Sequence, residues 1–150
     1  MPGRVSVTID GTKFNAIEAV FSMSTQKDAA GMPVLSTLNT TVKVWADVFD
    51  DKNVPFATIQ KLFGLGNVPN REKIKDIKVE YWKDDTMQDV ICSYKFKGWI
   101  SLFELYNPVM DLGSHPMVKD ARDRVYNHIM HLELTPVINK ENFQEVAIGN

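Results

Sequence analysis

Between Ile74 and Tyr106 hydrophobic and polar positions alternate more cleanly than anywhere else in the chain. Ile77, Val79 and Tyr81 alternate with Lys78, Glu80 and Trp82. After the polar turn Lys83-Asp84-Asp85-Thr86, Val90, Cys92, Tyr94 and Phe96 alternate with Ile91, Ser93, Lys95 and Lys97. Period two over two adjacent runs predicts a β-hairpin with one buried face. Past Gly98 the alternation breaks, because Trp99, Ile100, Leu102, Phe103 and Leu105 put large apolar groups on both faces. Gly98 is therefore expected to be a bulge or sharp bend, where a missing Cβ lets the strand turn between packed layers.

The rest of the chain is placed around this hairpin. Val5, Val7 and Ile9 alternate with Ser6 and Thr8 before Asp10-Gly11, a preferred hairpin turn, and the return strand runs from Lys13-Phe14 through Ile17, Ala19, Phe21 and Met23. From Thr25 to Ser36 the pattern is lost, and Gln26, Lys27, Asp28, Gly31 and Pro33 are turn and loop formers. A segment of about a dozen residues is longer than a hairpin needs, so it is expected to protrude as an arm. Alternation resumes from Leu38 to Asp47. One short helix follows at 54–63, with Asp50, Asp51 and Asn53 as capping side chains, Pro55 in its first turn, and Phe56, Ile59, Leu62 and Phe63 on one face. Gly64 and Gly66 are expected to end it. A second patternless loop spans 107–126, with a helical turn or two expected from Val118 to Tyr126. A closing strand spans Ile129 to Ile138, where Pro136 implies an edge or the end of regular pairing. The tail from Asn139, with Phe143, Val146 and Ile148, is long enough to add a last strand.

The architecture predicted is mainly β: a barrel or sandwich of two packed antiparallel sheets with one short α-helix, in a single domain of 150 residues. A formal net charge of -2 gives no electrostatic reason for nucleic-acid binding. No apolar run is long enough to span a bilayer as a helix, and the N-terminus has no signal-peptide character. The expectation is synthesis in the cytoplasm without the general secretory route. A single cysteine, Cys92, excludes an internal disulfide framework, and its place on the apolar face of the hairpin reads as a small core residue.

Candidate chemistry is sparse. His128 and His131 fall on opposite faces of a strand and cannot converge on one metal, whereas His131 and Glu133 share a face but make half a site, with Asp111, Asp120 and Asp123 near in sequence. A solvated polar face is the expectation for them. Trp45, Trp82 and Trp99 read as core or interface residues before a ligand-stacking wall. Gly-rich phosphate loops, nucleophile elbows and zinc spacings are missing from the sequence, so no catalytic, cofactor or metal residue is assigned.

The order of elements resembles the haemolysin-coregulated protein family, the tube proteins of type VI secretion systems, related in fold to phage tail-tube proteins. The segments that carry it are Ile17 to Met23, the helix from Pro55 to Phe63, the hairpin Ile77 to Leu105 centred on Tyr94-Lys95-Phe96-Lys97-Gly98-Trp99-Ile100, and Leu132 to Val137. The loop Asn107 to Tyr126 is longer than usual for the family, which leaves a type VI system, an extracellular injection system and a phage tail as alternatives. The resemblance implies hexameric rings that stack into a tube inside a sheath. The tube is expelled behind a spike with effectors in its lumen, so the protein is cytoplasmic before firing and secreted without a signal peptide. A monomeric ligand-binding β-barrel is the competing class, and an enzyme built on His131 and Glu133 a distant third. Within the arm, Lys27, Asp28, Gly31, Met32, Pro33, Val34 and Leu35 are the expected ring-stacking residues.

Overall fold

Strand β6 (Val90–Tyr106) has 17 residues and organises the sheet. Laid straight it would measure about 55 Å, whereas a domain of this size has a radius of gyration of about 15 Å. It must bend, and it changes partners as it does so. In the computed structural model, described over residues 4–35, 38–48, 50–67, 70–106, 128–137 and 143–148, the first part of β6 pairs with β5 (Lys75–Trp82) and the second part with β7 (Ile129–Pro136). Gly98 is the residue of exchange, facing both Lys75, the first residue of β5, and Pro136, the last of β7. A strand beginning at Phe143, β8 (Phe143–Ile148), pairs with residues 92–96 of β6.

A second long strand does the same work on the other side. The opening hairpin joins β1 (Val5–Ile9) to β2 (Thr12–Ala16) through Asp10 and Gly11, both at positive φ, 49° and 79°. This is the turn whose twist suits a two-residue connection. Past Ile17 the chain continues as β3 (Glu18–Ser24), which has left β1 and pairs with β4 (Asn39–Asp47). Since β4 pairs with β7 and β5 with β1, the circuit β1, β2–β3, β4, β7, β6, β5 returns to its start. The two expected layers are halves of one continuous antiparallel sheet, closed as a barrel by strands that two neighbours share.

Each shared strand also slips phase. Phe14 and Ala16 are buried at even positions, whereas Ala19 and Phe21 pack on the core from odd ones. The slip falls at Ile17, whose amide donates to the Trp45 carbonyl at 2.8 Å. In β6, Phe96 and Ile100 face the core at even positions and Phe103 at an odd one. The register shift lies between Ile100 and Leu102, so Ser101 is the bulged residue and Gly98 is not. Gly98 answers a different demand: a Cβ there would lie 2.5 Å from the Thr135 carbonyl oxygen. The apolar groups on both faces beyond Gly98 are the trace of this slip.

Val7, Ile9, Phe14, Val42, Val44, Ile77, Val79, Phe96, Leu132 and Leu134 fill the barrel, each at most 2% exposed. Helix α1 (Phe56–Asn67) drives Leu62 into the same core, with Ile59 and Leu65 partly buried against it. Two expectations change here. Gly64 and Gly66 lie inside the helix, because packing overrides their weak propensity. A Cβ on Gly66 would stand 3.3 Å from Ile100 Cγ2, and the Gly64 carbonyl accepts a hydrogen bond from Lys73 Nζ at 2.7 Å. Phe56 is 82% exposed and takes no part in the buried stripe. Asp50 does close a turn ahead of the helix, with its Oδ1 accepting from the Asn53 amide at 3.3 Å. The Asn53 side chain instead acts as a strand edge for β2: its Nδ2 donates to the Asn15 carbonyl and its Oδ1 accepts from the Asn15 amide, both at 2.8 Å. The expected loop 107–126, with its helical turn, lies outside the described residues.

These contacts separate two glycines. Gly98→Ala is expected to destabilise the fold by about 1–3 kcal/mol, since backbone must move to admit the methyl. Gly64→Ala, which meets nothing within 4 Å, should stabilise it by up to about 1 kcal/mol. Urea unfolding of the two variants beside the parent protein measures both.

Candidate functional site

The expected arm exists, and it has more internal order than its sequence pattern implies. Lys27 and Pro33 form an isolated antiparallel bridge, and the Val34 amide donates to the Gln26 carbonyl at 2.9 Å. The tip is closed by Asp28, whose Oδ1 accepts from the amides of Ala30 and Met32, both at 2.9 Å. Its own amide donates to the Met32 carbonyl at 2.8 Å, and Gly31 adopts φ 83°. A carboxylate receiving local backbone N–H groups makes a turn without any hydrophobic period, which is why alternation is lost while order is kept. Lys27, Asp28, Gly31, Met32, Pro33, Val34 and Leu35 are all exposed on this small hairpin. Met32 stands 61% exposed and Leu35 88%.

Two strand edges are left over by the partner exchanges. Beyond Gly98, where β5 ends, the edge of β6 that β5 had occupied carries no further strand among the described residues. The outer edge of β3 is closed in part by one side chain: the Tyr81 hydroxyl donates to the Ala19 carbonyl at 3.2 Å and accepts from the Phe21 amide. Tyr81 thereby bridges the seam that opens where β3 leaves β1. Around it, Phe21 and Tyr94 stack at 4.3 Å, and Tyr81 meets Tyr94 edge-on at 6.2 Å. Cys92 is half-buried beside them and hydrogen-bonds Tyr94. That bond, then burial, then the charges of Cys92 and Tyr81 push the Tyr94 phenol up to about 12. Burial first, and Cys92 second, raise Tyr81 as well. Both phenols stay protonated well above neutrality and serve as hydrogen-bonding groups.

The histidines do not converge. His131 is 7% exposed, a correction to the solvated face expected for it. Its ring stacks on Trp45 at 4.5 Å, its Nδ1 lies 3.3 Å from the Val44 carbonyl, and its Nε2 is 3.9 Å from Glu133 Oε1. Trp45 sits directly across from it in the register, a pairing that no local pattern reveals. Glu133 also lies 3.9 Å from Lys43. His128 is exposed at the start of β7. Among the described residues no group of three or more His, Cys, Asp and Glu is placed to hold a metal ion. The tryptophans occupy three separate places. Trp45 covers His131, while Trp82 donates to Ser6 Oγ at 2.9 Å under the Lys13 ammonium, 5.5 Å from the ring centre.

Trp99 lines a surface slot of about 390 Å³ together with Leu65, Ile74 and Ile100, with Arg71 and Lys73 at its margin. Sequence reasoning missed this slot. Its walls come from the end of α1, the turn Arg71–Lys73 and β6, brought together by the exchange at Gly98. The one local signal was the apolar Trp99 on the strand face opposite Ile100. No described helix is long and apolar enough to cross a membrane.

Solved structures share this fold at very low sequence identity. Hcp1 from Flavobacterium johnsoniae superposes with a TM-score of 0.59 and 10% identity, over 87% of this chain and 88% of that one. A crystal structure of an Hcp protein gives 0.57 and 9%, over 87% and 85%. A structure of a type six secretion system protein gives 0.57 and 8%, over 95% and 90%. No family model matches the sequence, and no curated protein matches it. The fold of this chain is therefore the Hcp β-barrel, as the order of its elements led one to expect.

The buried stack on Trp45 makes His131 a structural residue. His131→Ala is expected to lower stability by about 1–3 kcal/mol through lost packing and stacking, whereas Glu133→Ala should stay within about 0.5 kcal/mol. Thermal unfolding of the two variants distinguishes this from a solvated pair, for which both effects would be small.

Proposed function

We propose that this chain is the inner-tube subunit of a contractile injection machine of the type VI kind. Identical copies form hexameric rings, the rings stack into a tube, and the tube is expelled with effector proteins in its lumen. The observation that carries the reading is the likeness in fold to Hcp and type six secretion structures through nearly the whole chain. The structure supplies parts that suit such an assembly. An unpaired strand edge is a hazard in a monomer and a joining device in a ring, and among the described residues β6 beyond Gly98 offers one. An interface between two different surface patches closes into a ring when its rotation permits.

The interior speaks against the ligand-binding barrel, because Phe14, Phe96, Ile9 and Leu62 occupy it as packed core. The function then lies on the outside. The sheath and the spike are the partners this reading implies, with the subunit held in the cytoplasm before firing and exported by the machine itself. Phage-tail and extracellular injection tubes are the nearest alternatives, and they use the same assembly logic.

In this reading the arm, with Lys27, Asp28, Gly31, Met32, Pro33, Val34 and Leu35, makes the contact between stacked rings. Its apolar side chains are each worth about 1.5–3 kcal/mol when fully covered. Removing Ala29 to Pro33 takes nothing from the barrel core. The shortened protein should keep its melting temperature and ring size and lose stacking into tubes, as seen by electron microscopy. Normal tubes from the shortened protein would refute the role of the arm, and collapse to aggregated monomer would place the segment in the folding core.

A further inference from the structure

The arm leaves the barrel in the direction away from the slot beside Trp99, as the registers of β1, β2 and β5 show. Ile74, in the slot, precedes β5. Ile77 and Thr12 are level with one another through Ile9, and Tyr81 and Ala16 through Val5. β2 thus runs alongside β5 and in the same direction, away from the slot, and β3 continues from it to Ser24, where the arm begins. From Ile74 to the level of Tyr81 alone is about 20 Å of strand. The arm starts past the end of β3 and leads away from the slot of its own chain.

We propose that the slot is the socket for the arm of a second copy of this chain, with Met32 inserting beside Trp99 and Leu35 covering the rim. The proposal deepens the stacking role given above for the arm and rests on it. Size supports it, since 390 Å³ is at the low end of ligand-binding pockets, which span about 300–1,000 Å³, and suits a few aliphatic groups. Charge supports it as well. Asp28 is the one charged residue between the bridged Lys27 and Pro33, and the slot's margin carries Arg71 and Lys73. Preorganisation is a third reason: the two amides held by Asp28 fix the tip before contact, which lowers the ordering cost of docking. Methionine at the tip is unbranched and adaptable, able to fill an irregular apolar slot.

A knob that leads away from the hole of its own chain cannot make a closed two-fold dimer from a single kind of contact. They make a head-to-tail stack that repeats along an axis. In a ring the contact recurs once per subunit, so a weak individual insertion becomes a strong ring-to-ring attachment.

Cysteine cross-linking in a Cys92→Ser background tests this directly. Met32→Cys protein mixed with Arg71→Cys protein should give a mixed disulfide dimer about tenfold or more above Met32→Cys mixed with Thr86→Cys, because docking raises the effective concentration of the paired thiols. The double variant Met32→Cys with Arg71→Cys should give a ladder of oligomers on oxidation. Tubes visible by electron microscopy without that ladder would overturn the socket and leave the stacking role of the arm intact. A ladder-free protein that forms rings but no tubes, with its arm present, would remove both. Met32→Leu and Met32→Glu provide the same test without oxidation. The Leu variant should stack as the parent does and the Glu variant should fail to stack, and equal stacking by the two overturns the proposal.

Discussion

The Thr135 carbonyl occupies the space where a side chain on residue 98 would begin, and much of the architecture follows from that closeness. With no Cβ at Gly98, β6 can exchange β5 for β7 at a single residue. Without that exchange, a strand of 17 residues would project far beyond any core that 150 residues can build. Once it is made, β6 belongs to both halves of the sheet. The barrel then needs only one further shared strand to close, and β2–β3 supplies it at Ile17. Both exchanges move the apolar side chains from even to odd positions, so that the interior stays continuous while the backbone changes neighbours.

Closing a barrel through shared strands seals the interior but leaves strand edges where each partner departs. Local substitutes meet part of this need. Asn53 hydrogen-bonds the backbone of Asn15 on the edge of β2, and Tyr81 bridges Ala19 and Phe21 on the edge of β3. The edge of β6 beyond Gly98 has no strand partner among the described residues, and the slot at Trp99 opens beside it. A filled core leaves the strand edge, the apolar slot and the ordered arm as the outward features of the described residues. The Tyr81 hydroxyl on the Ala19 carbonyl and His131 stacked on Trp45 each hold neighbouring strands together.

Much of the barrel was legible because period two is strong wherever one face of a strand is buried. This holds for β1, β4, β5 and the first part of β6. The order of elements was informative as well, and it led to the fold that solved structures share. What remained hidden depends on contacts between segments distant in sequence. Gly98 reads as a bulge or sharp bend from its missing Cβ, but the register shift falls at Ser101. The glycines of α1 read as a stop, yet Ile100 and Lys73 hold the helix through them. His131 read as solvated because nothing local announces Trp45 across the sheet. The arm read as an irregular loop because its order comes from a carboxylate on backbone amides, an interaction that leaves no hydrophobic period. Its residues stand out from their composition, whereas the slot, assembled from three segments, leaves only the apolar Trp99 as a local sign.

The proposed function requires copies of this chain to join into a ring. Native mass spectrometry of the purified full-length protein over a wide range of concentration measures this most directly. A closed ring of six copies is expected as the dominant species, persisting as the protein is diluted. A monomer at every concentration would contradict it and return the barrel to the class of single-chain domains.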